Sequence, residues 1–406
     1  MSFPIRIPQQ ASARNLATFG LLTLLAGMLL SNAVMSIGTA MLIIAAVIHP
    51  DRAGILRRFF KDPVAVSMTL VFWVYLLGGI HSLDSAAWAS KVQVKLPFLL
   101  LPWAFGALPI LDRQNLRRIL SVFVVVAAIS AVVIASLFVA RYGTYTAEYT
   151  QGSVMPTPVN HIRYSLLLAM AACSGVWLAA SAEGRRMQWY WGLAVAAIVV
   201  FLHVLAVRSG LLALYACAAY GLVRLVFLGR RPMLGVAGLA GALLLGALAF
   251  QYVPTLHNRV AYARYDLEQY ARGIVNPDLS DAKRIGSILV GWEVARENPW
   301  TGVGIGDVPA AVHRVYRQRF PGLAETNPLP HNQFVLVAAA LGFGGLLIFC
   351  WALAAPWLAP GAAADPLFVC GQLILLPSMM TEATLETQYG VALYLFFTLL
   401  FLRRWR

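Results

Sequence analysis

His331 stands in the run Asn327-Pro328-Leu329-Pro330-His331-Asn332-Gln333, directly before a long apolar stretch. Two prolines pre-set a turn and a helix start. A histidine in the first turn of that helix feels the positive end of the dipole, which disfavours imidazolium. A neutral imidazole near pH 7 is what a general base requires. The plainer reading is an interfacial histidine that hydrogen-bonds its own loop.

Several cations could serve a negatively charged substrate. Arg208, in Ala206-Val207-Arg208-Ser209-Gly210, is flanked by apolar runs on both sides. It can snorkel to the interface, but a charge at the hydrocarbon boundary is also a functional candidate. Arg284 lies beside Lys283 in the first turn of an expected helix, where cations are disfavoured unless an anion such as phosphate faces them. An ordinary surface arginine paired with Asp281 is the alternative. Arg163 lies close to His161 in Pro158-Val159-Asn160-His161-Ile162-Arg163-Tyr164, and Lys91 and Lys95 flank another apolar run. These either complete an electropositive basin or anchor to lipid headgroups. His313, Arg314, Arg317 and Arg319 form a basic cluster, which reads as a solvated face or as a contact for a phosphorylated lipid. Glu382 and Glu386 are four residues apart. Acid-base work or metal binding is open to them, but pairing with the outer arginines is favoured.

Some chemistry is missing. There is no P-loop, no Asp-x-Asp and no HExxH, and the glycines at 302–306 follow no strand and lack the dinucleotide spacing. Cys173, Cys217, Cys350 and Cys370 all lie in apolar blocks and form no CxxC. They read as small buried apolar residues, with no disulfide framework and no zinc site. Neither a cofactor nor a metal is expected.

These residues must be positioned by membrane helices. Of the 406 residues, 60% are hydrophobic and 12% charged, against about 45–50% and about 25% in soluble domains. The apolar excess arrives in blocks near the roughly 20 residues that cross a hydrocarbon core. Twelve spans are expected, at 16–33, 35–49, 64–80, 92–111, 117–140, 162–182, 187–206, 209–228, 233–253, 331–357, 366–383 and 389–402. The first reads as an uncleaved helix rather than a signal peptide, because many spans follow. The net charge is +14, but the cations sit between spans, so orientation and anionic lipid explain them better than nucleic acid does. With the N-terminus inside, seventeen Lys and Arg fall in inner segments and five in short outer ones. That asymmetry places both termini in the cytoplasm and residues 254–330 outside.

The chain thus reads as nine spans in 1–253, one long outer loop at 254–330, and three spans in 331–406. Within the loop, Ser280 or Asp281 can cap a helix to about Asn298, with Ile285, Ile288, Leu289 and Trp292 on its apolar face. Pro299 ends it. A turn, Gly302-Val303-Gly304-Ile305-Gly306, follows, and Asp307 can cap a second helix through about Phe320.

Two of these stretches resemble the O-antigen ligase family, which belongs with O-antigen polymerases and protein O-oligosaccharyltransferases. His331-Asn332, nine residues, Gly342, two residues and Gly345 fit its His-[Asn/Ser/Gln]-x9-Gly-xx-[Gly/Thr/Tyr] pattern. Arg284 through Gly306, with Trp292, Pro299, Gly302 and Gly304, is similar to the family's loop helix and glycine turn, and Arg208-Ser209 to its arginine at a helix mouth. The resemblance implies an all-helical glycosyltransferase of the GT-C type in a Gram-negative inner membrane, with its active site periplasmic. The donor would be an O-antigen glycan on undecaprenyl pyrophosphate, and the acceptor a sugar hydroxyl of lipid A–core. His331 would be the catalytic base. Arg208, Arg284 and Arg163 would hold the pyrophosphate, with Asn332, His161, Lys91, Arg314, Arg317 and Glu382 as supporting candidates. No metal or nucleotide is implied, and inversion at the anomeric carbon is.

A polymerase would use the same donor with a second lipid-linked glycan as acceptor. A protein O-oligosaccharyltransferase would glycosylate Ser or Thr. A flippase or transporter of lipid-linked oligosaccharide would favour ionisable residues at broken helices in mid-bilayer, whereas these candidates cluster at the outer mouth.

Overall fold

A computed structural model describes residues 6–108, 113–150, 153–229, 232–272, 280–319 and 329–402. Among them every regular element is helical. The helices are α1 (Arg6–Leu30), α2 (Asn32–Ile48), α3 (Arg52–Lys61), α4 (Pro63–Leu77), α5 (Ser85–Ala104), α6 (Arg113–Ala140), α7 (Tyr142–Thr150), α8 (His161–Ala180), α9 (Arg185–Leu205), α10 (Arg208–Val223), α11 (Pro232–Tyr252), α12 (Pro254–Ala271), α13 (Ser280–Glu297), α14 (Val308–Arg319), α15 (Gln333–Ala354), α16 (Pro366–Thr381) and α17 (Gln388–Leu402). Several start on sequence-encoded caps. Asp62 accepts from Val64 and Ala65 N–H ahead of α4, Asn160 from Ile162 ahead of α8, and Asp365 from Leu367 ahead of α16.

The described helices account for part of the twelve-span expectation. Seven described helices are long and apolar enough to cross a membrane, or eight if α2 and α3, bent by 107° at their junction, are one broken span. Pro63–Leu77, Pro366–Thr381 and Gln388–Leu402 are apolar but shorter. The expected span at 92–111 corresponds to α5, which carries Lys91 and Lys95 and two internal prolines, Pro97 and Pro102. The 254–330 loop holds a third helix, α12, ahead of the two expected. The expected caps Ser280 and Asp281 have side chains outside the described residues.

The chain divides into two units. The first comprises residues 1–113, 275–368 and 378–406, and the second 114–274 and 369–377.

In the first unit, α15 breaks at Gly342, whose φ of 68° and ψ of −178° leave the helical region. The break releases backbone groups that the glycine turn takes up. Val303 N–H donates to Ala339 O at 2.9 Å, Gly304 N–H to Ala340 O at 3.0 Å, and Phe343 N–H to Pro299 O at 2.8 Å. Asp307 does not cap α14 with its side chain. Its carboxylate accepts instead from the N–H groups of Leu83 and Asp84, at 2.7 and 2.9 Å. The turn is therefore fixed between α15 and the segment before α5. On α13, Trp292 meets Phe343 edge-on at 5.9 Å.

A Cβ on Gly342 would lie 2.3 Å from Trp300 O, and one on Gly302 would lie 2.2 Å from Ala340 C. Gly342→Ala is expected to lower the unfolding midpoint in detergent. A residue forced into that φ/ψ region costs about 1–3 kcal/mol before the overlap is counted. A Cβ on Gly344 would meet nothing within 4 Å. Gly344→Ala should instead be neutral or raise stability by up to about 1 kcal/mol, since alanine is the better helix former. Equal behaviour of the two variants would refute the docking role of the break.

In the second unit α8 and α10 run parallel. A Cβ on Gly210 would touch Ser165 Cβ at 2.4 Å, and further along both helices Cys217 and Cys173 also meet. Contacts that advance together along both chains define parallel packing, so the two helices begin at the same end.

Candidate active site

His331 does not lie in the first turn of α15. Asn332 is the N-cap, with φ −153°, and its Oδ1 accepts from Phe334 and Val335 N–H, both at 3.0 Å. Its Nδ2 donates to Met380 O at 3.0 Å. His331 precedes this cap. Its own N–H donates to Ser287 Oγ at 3.0 Å, and Ser287 Oγ donates to Arg284 O at 2.8 Å. The turn of α13 that carries Arg284 thus holds the His331 backbone. Arg284 is the fifth residue of α13, one place beyond the first turn expected for it.

Burial, and secondarily the Arg284 guanidinium, push the His331 imidazole below its ordinary value of 6.5. Desolvation and a neighbouring cation thus disfavour imidazolium here, rather than the helix dipole expected from the sequence. An imidazole serving as a base would be active above its pKa, so a lowered pKa would extend activity to lower pH. The acid limb of the kcat/KM profile should have its midpoint below pH 6.5 and move upward in Arg284→Gln. A limb unmoved by that substitution would exclude the arginine's influence on the base.

Glu386 anchors the start of α15 from the turn at Thr384–Glu386. Its Oε1 accepts from Tyr75 OH at 2.6 Å, Lys95 Nζ at 3.0 Å and Gln333 Nε2 at 3.1 Å, and its Oε2 pairs with Lys91 at 3.1 Å. Lys95 Nζ also donates to Leu385 O at 2.5 Å and lies 4.3 Å from the centre of the Tyr75 ring. Leu385 N–H in turn donates to Gln333 Oε1 at 2.8 Å. Burial opposes the Glu386 charge, but Lys95 and Lys91, with hydrogen bonds from Tyr75 and Gln333, outweigh it and hold the carboxyl down at about 2. An ionised carboxylate so engaged cannot act as a general acid, and a carboxyl held this low is a weak base.

The pairing of Glu386 with outer arginines is thereby corrected: its partners are lysines. Lys95 is fully buried, so it is no headgroup anchor. The backbone N–H of Glu382 closes α16 on Ser378 O at 3.0 Å. Tyr75 and Gln333 went unnoticed in the sequence, because neither their types nor their spacing marks them.

The remaining cations divide by unit. In the second, His161 opens α8 with Arg163 two residues on, and Arg208 opens α10. Ala206, at φ 50°, makes the sharp passage from α9 to α10. That passage is clamped by Tyr149 OH on Leu205 O at 2.8 Å and Thr255 Oγ1 on Val204 O at 2.5 Å. Parallel packing therefore gathers two helix N-termini, Arg163 and Arg208 at one end, an arrangement suited to an anion. Thr255 belongs to α12, whose signal was Pro254 at a first helical position; the same helix carries Arg259, a cation the sequence did not single out, whose charge reaches Tyr149.

In the first unit, Arg314 pairs with Glu297 at 2.9 Å and Arg317 meets His313 Nδ1 at 2.5 Å, all partly exposed. This is a solvated face rather than a convergent site. The side chain of Arg319 lies outside the described residues.

The helices, glycine turn and His331–Gly342 stretch can be compared with known proteins. No curated protein matches the chain. Residues 193–350, which contain Arg208, Arg284, the glycine turn, His331 and Gly342, match the family model described as O-antigen ligase. Lys91, Arg163 and Glu386 lie outside that segment. From Leu193 to Cys350 the chain carries a domain of the O-antigen ligase family.

Proposed function

We propose that this chain is a ligase that moves a glycan from undecaprenyl pyrophosphate to a sugar hydroxyl of lipid A–core, at the outer face of a Gram-negative inner membrane. The observation that carries the proposal is His331, half-buried, kept neutral and fixed beside Arg284 by Ser287. The acceptor hydroxyl attacks the anomeric carbon as its proton passes to His331. The bond from that carbon to the pyrophosphate oxygen breaks, and the lipid pyrophosphate departs with the added negative charge. Arg284 stabilises that charge as it grows, which is where binding lowers the barrier. In-line displacement inverts the anomeric centre. No nucleotide enters, because the donor already carries a good leaving group, and no metal ion is needed where guanidiniums neutralise it.

The test is a lipopolysaccharide gel from a deletion strain. The expected result is rough lipopolysaccharide with polymeric glycan accumulated on undecaprenyl pyrophosphate, restored by the gene. Core capped with a single repeat unit would identify a polymerase instead. A reporter fused near residue 290 should read periplasmic; a cytoplasmic reading would sink the mechanism, since the donor glycan is presented outside.

A further inference from the structure

Three of the four cysteines converge inside the second unit. Cys173 comes from α8, Cys217 from α10 and Cys370 from α16, and their sulfur atoms all lie within 4.8 Å of one another. All three are free thiols, Cys217 buried and the others partly so. Cys217 Sγ also reaches Cys370 O at 3.6 Å. The sequence reading, small buried apolar residues, accounts for each one singly. It does not account for three residues from separate helices, far apart in the chain, meeting at one point.

Thiolates bind soft cations with metal–sulfur bonds of about 2.3 Å. Three sulfurs in a plane around one ion then stand about 4 Å apart, so small side-chain rotations within the observed cluster would seat an ion. Among the described residues no fourth His, Cys, Asp or Glu joins the group. Thiolates suit Cu(I), zinc and iron–sulfur clusters alike, but structural zinc takes four ligands, whereas Cu(I) is satisfied by two or three sulfurs.

We propose that Cys173, Cys217 and Cys370 bind one Cu(I) ion as a three-sulfur site that ties α8, α10 and α16 together. On binding, two thiols release their protons to solvent and the third coordinates as a neutral thiol. The copper keeps its oxidation state, and the complex carries one net negative charge. Arg224, directly after α10, is a cation whose field reaches Cys370. The ion would fix the same parallel pair of helices that presents Arg163 and Arg208 at its other end. The binding itself does not depend on the ligase reading.

The experiment titrates the purified full-length protein in detergent, under reductant, with Cu(I) against the chelator bicinchoninate. One equivalent should bind, and Cys217→Ala or Cys370→Ala should weaken it at least about tenfold. Cys350→Ala should change nothing. Alkylation by N-ethylmaleimide gives a second readout in the unmutated protein: Cu(I) should protect the three cysteines and leave Cys350 reactive. Absence of stoichiometric binding, equal affinity in the variants, or no protection would overturn the proposal. Tighter binding of Zn(II) than of Cu(I) at these residues would overturn the choice of ion.

Discussion

His331→Ala should reduce glycan transfer by about 10²–10⁴-fold, the usual consequence of losing a general base, while donor affinity survives. In the proposed mechanism the imidazole is the proton acceptor, and its removal leaves the cations untouched. Arg284→Ala should behave differently. It removes charge stabilisation of the leaving group, costing on the order of 10²–10³-fold in rate, and donor binding should fall with it. Arg284→Lys should restore only part, because an ammonium lacks the planar fork that grips two phosphate oxygens. The measurement is single-turnover transfer alongside donor binding, with purified, folded variants. Near-normal transfer by well-folded His331→Ala would end the assignment of the base. Glu382 or Glu386 would then be the next candidates, Glu386 as a weak base because its carboxyl is held down at about 2.

Glu386→Gln should be the most destabilising of the substitutions around the site. It leaves Lys95, 0% exposed, without its countercharge in a dry interior. Removing one partner of a buried pair costs about 3–5 kcal/mol, whereas replacing the pair by apolar residues of similar volume is often neutral. A Glu386→Gln, Lys95→Met variant should therefore recover much of the loss in chemical denaturation. If the single variant unfolded at the same midpoint as the unmutated protein, the network would have no structural weight. The pH dependence has a definite sign. A carboxyl lowered from 4.5 to about 2 contributes stability that is complete above 4.5 and lost as pH falls through that interval. The loss should be absent in Glu386→Gln.

The sequence by itself determined the membrane class, since the helices are written as apolar runs with local caps such as Asp62 and Asn160. It determined the two helices around Arg284 and Arg314 and the stop at Pro299, because proline and periodicity act within a few residues. It also marked His331, Arg208 and Arg284, whose charge or titration is unusual for where they stand in the chain. The number of spans was less legible. Hydropathy counts apolar residues but does not report that α2 and α3 turn by 107° at their junction or that α5 carries a buried ion pair.

Only the tertiary structure decided what those residues do to one another. Gly342 and Gly302 are motif positions in the sequence; their shared role is a close backbone approach across 40 residues of chain. Glu386 was expected to meet arginines, and it meets Lys91 and Lys95 with Tyr75 and Gln333. His331 is neutral through desolvation and Arg284 rather than through a helix dipole. Cys173, Cys217 and Cys370 share a point that no spacing foretold. Capping, periodicity and hydropathy act between neighbours in sequence, so they can be read along the chain. Desolvation, ion pairing and metal-ligand geometry depend on distances set by packing between helices, and these exist only once the chain has folded.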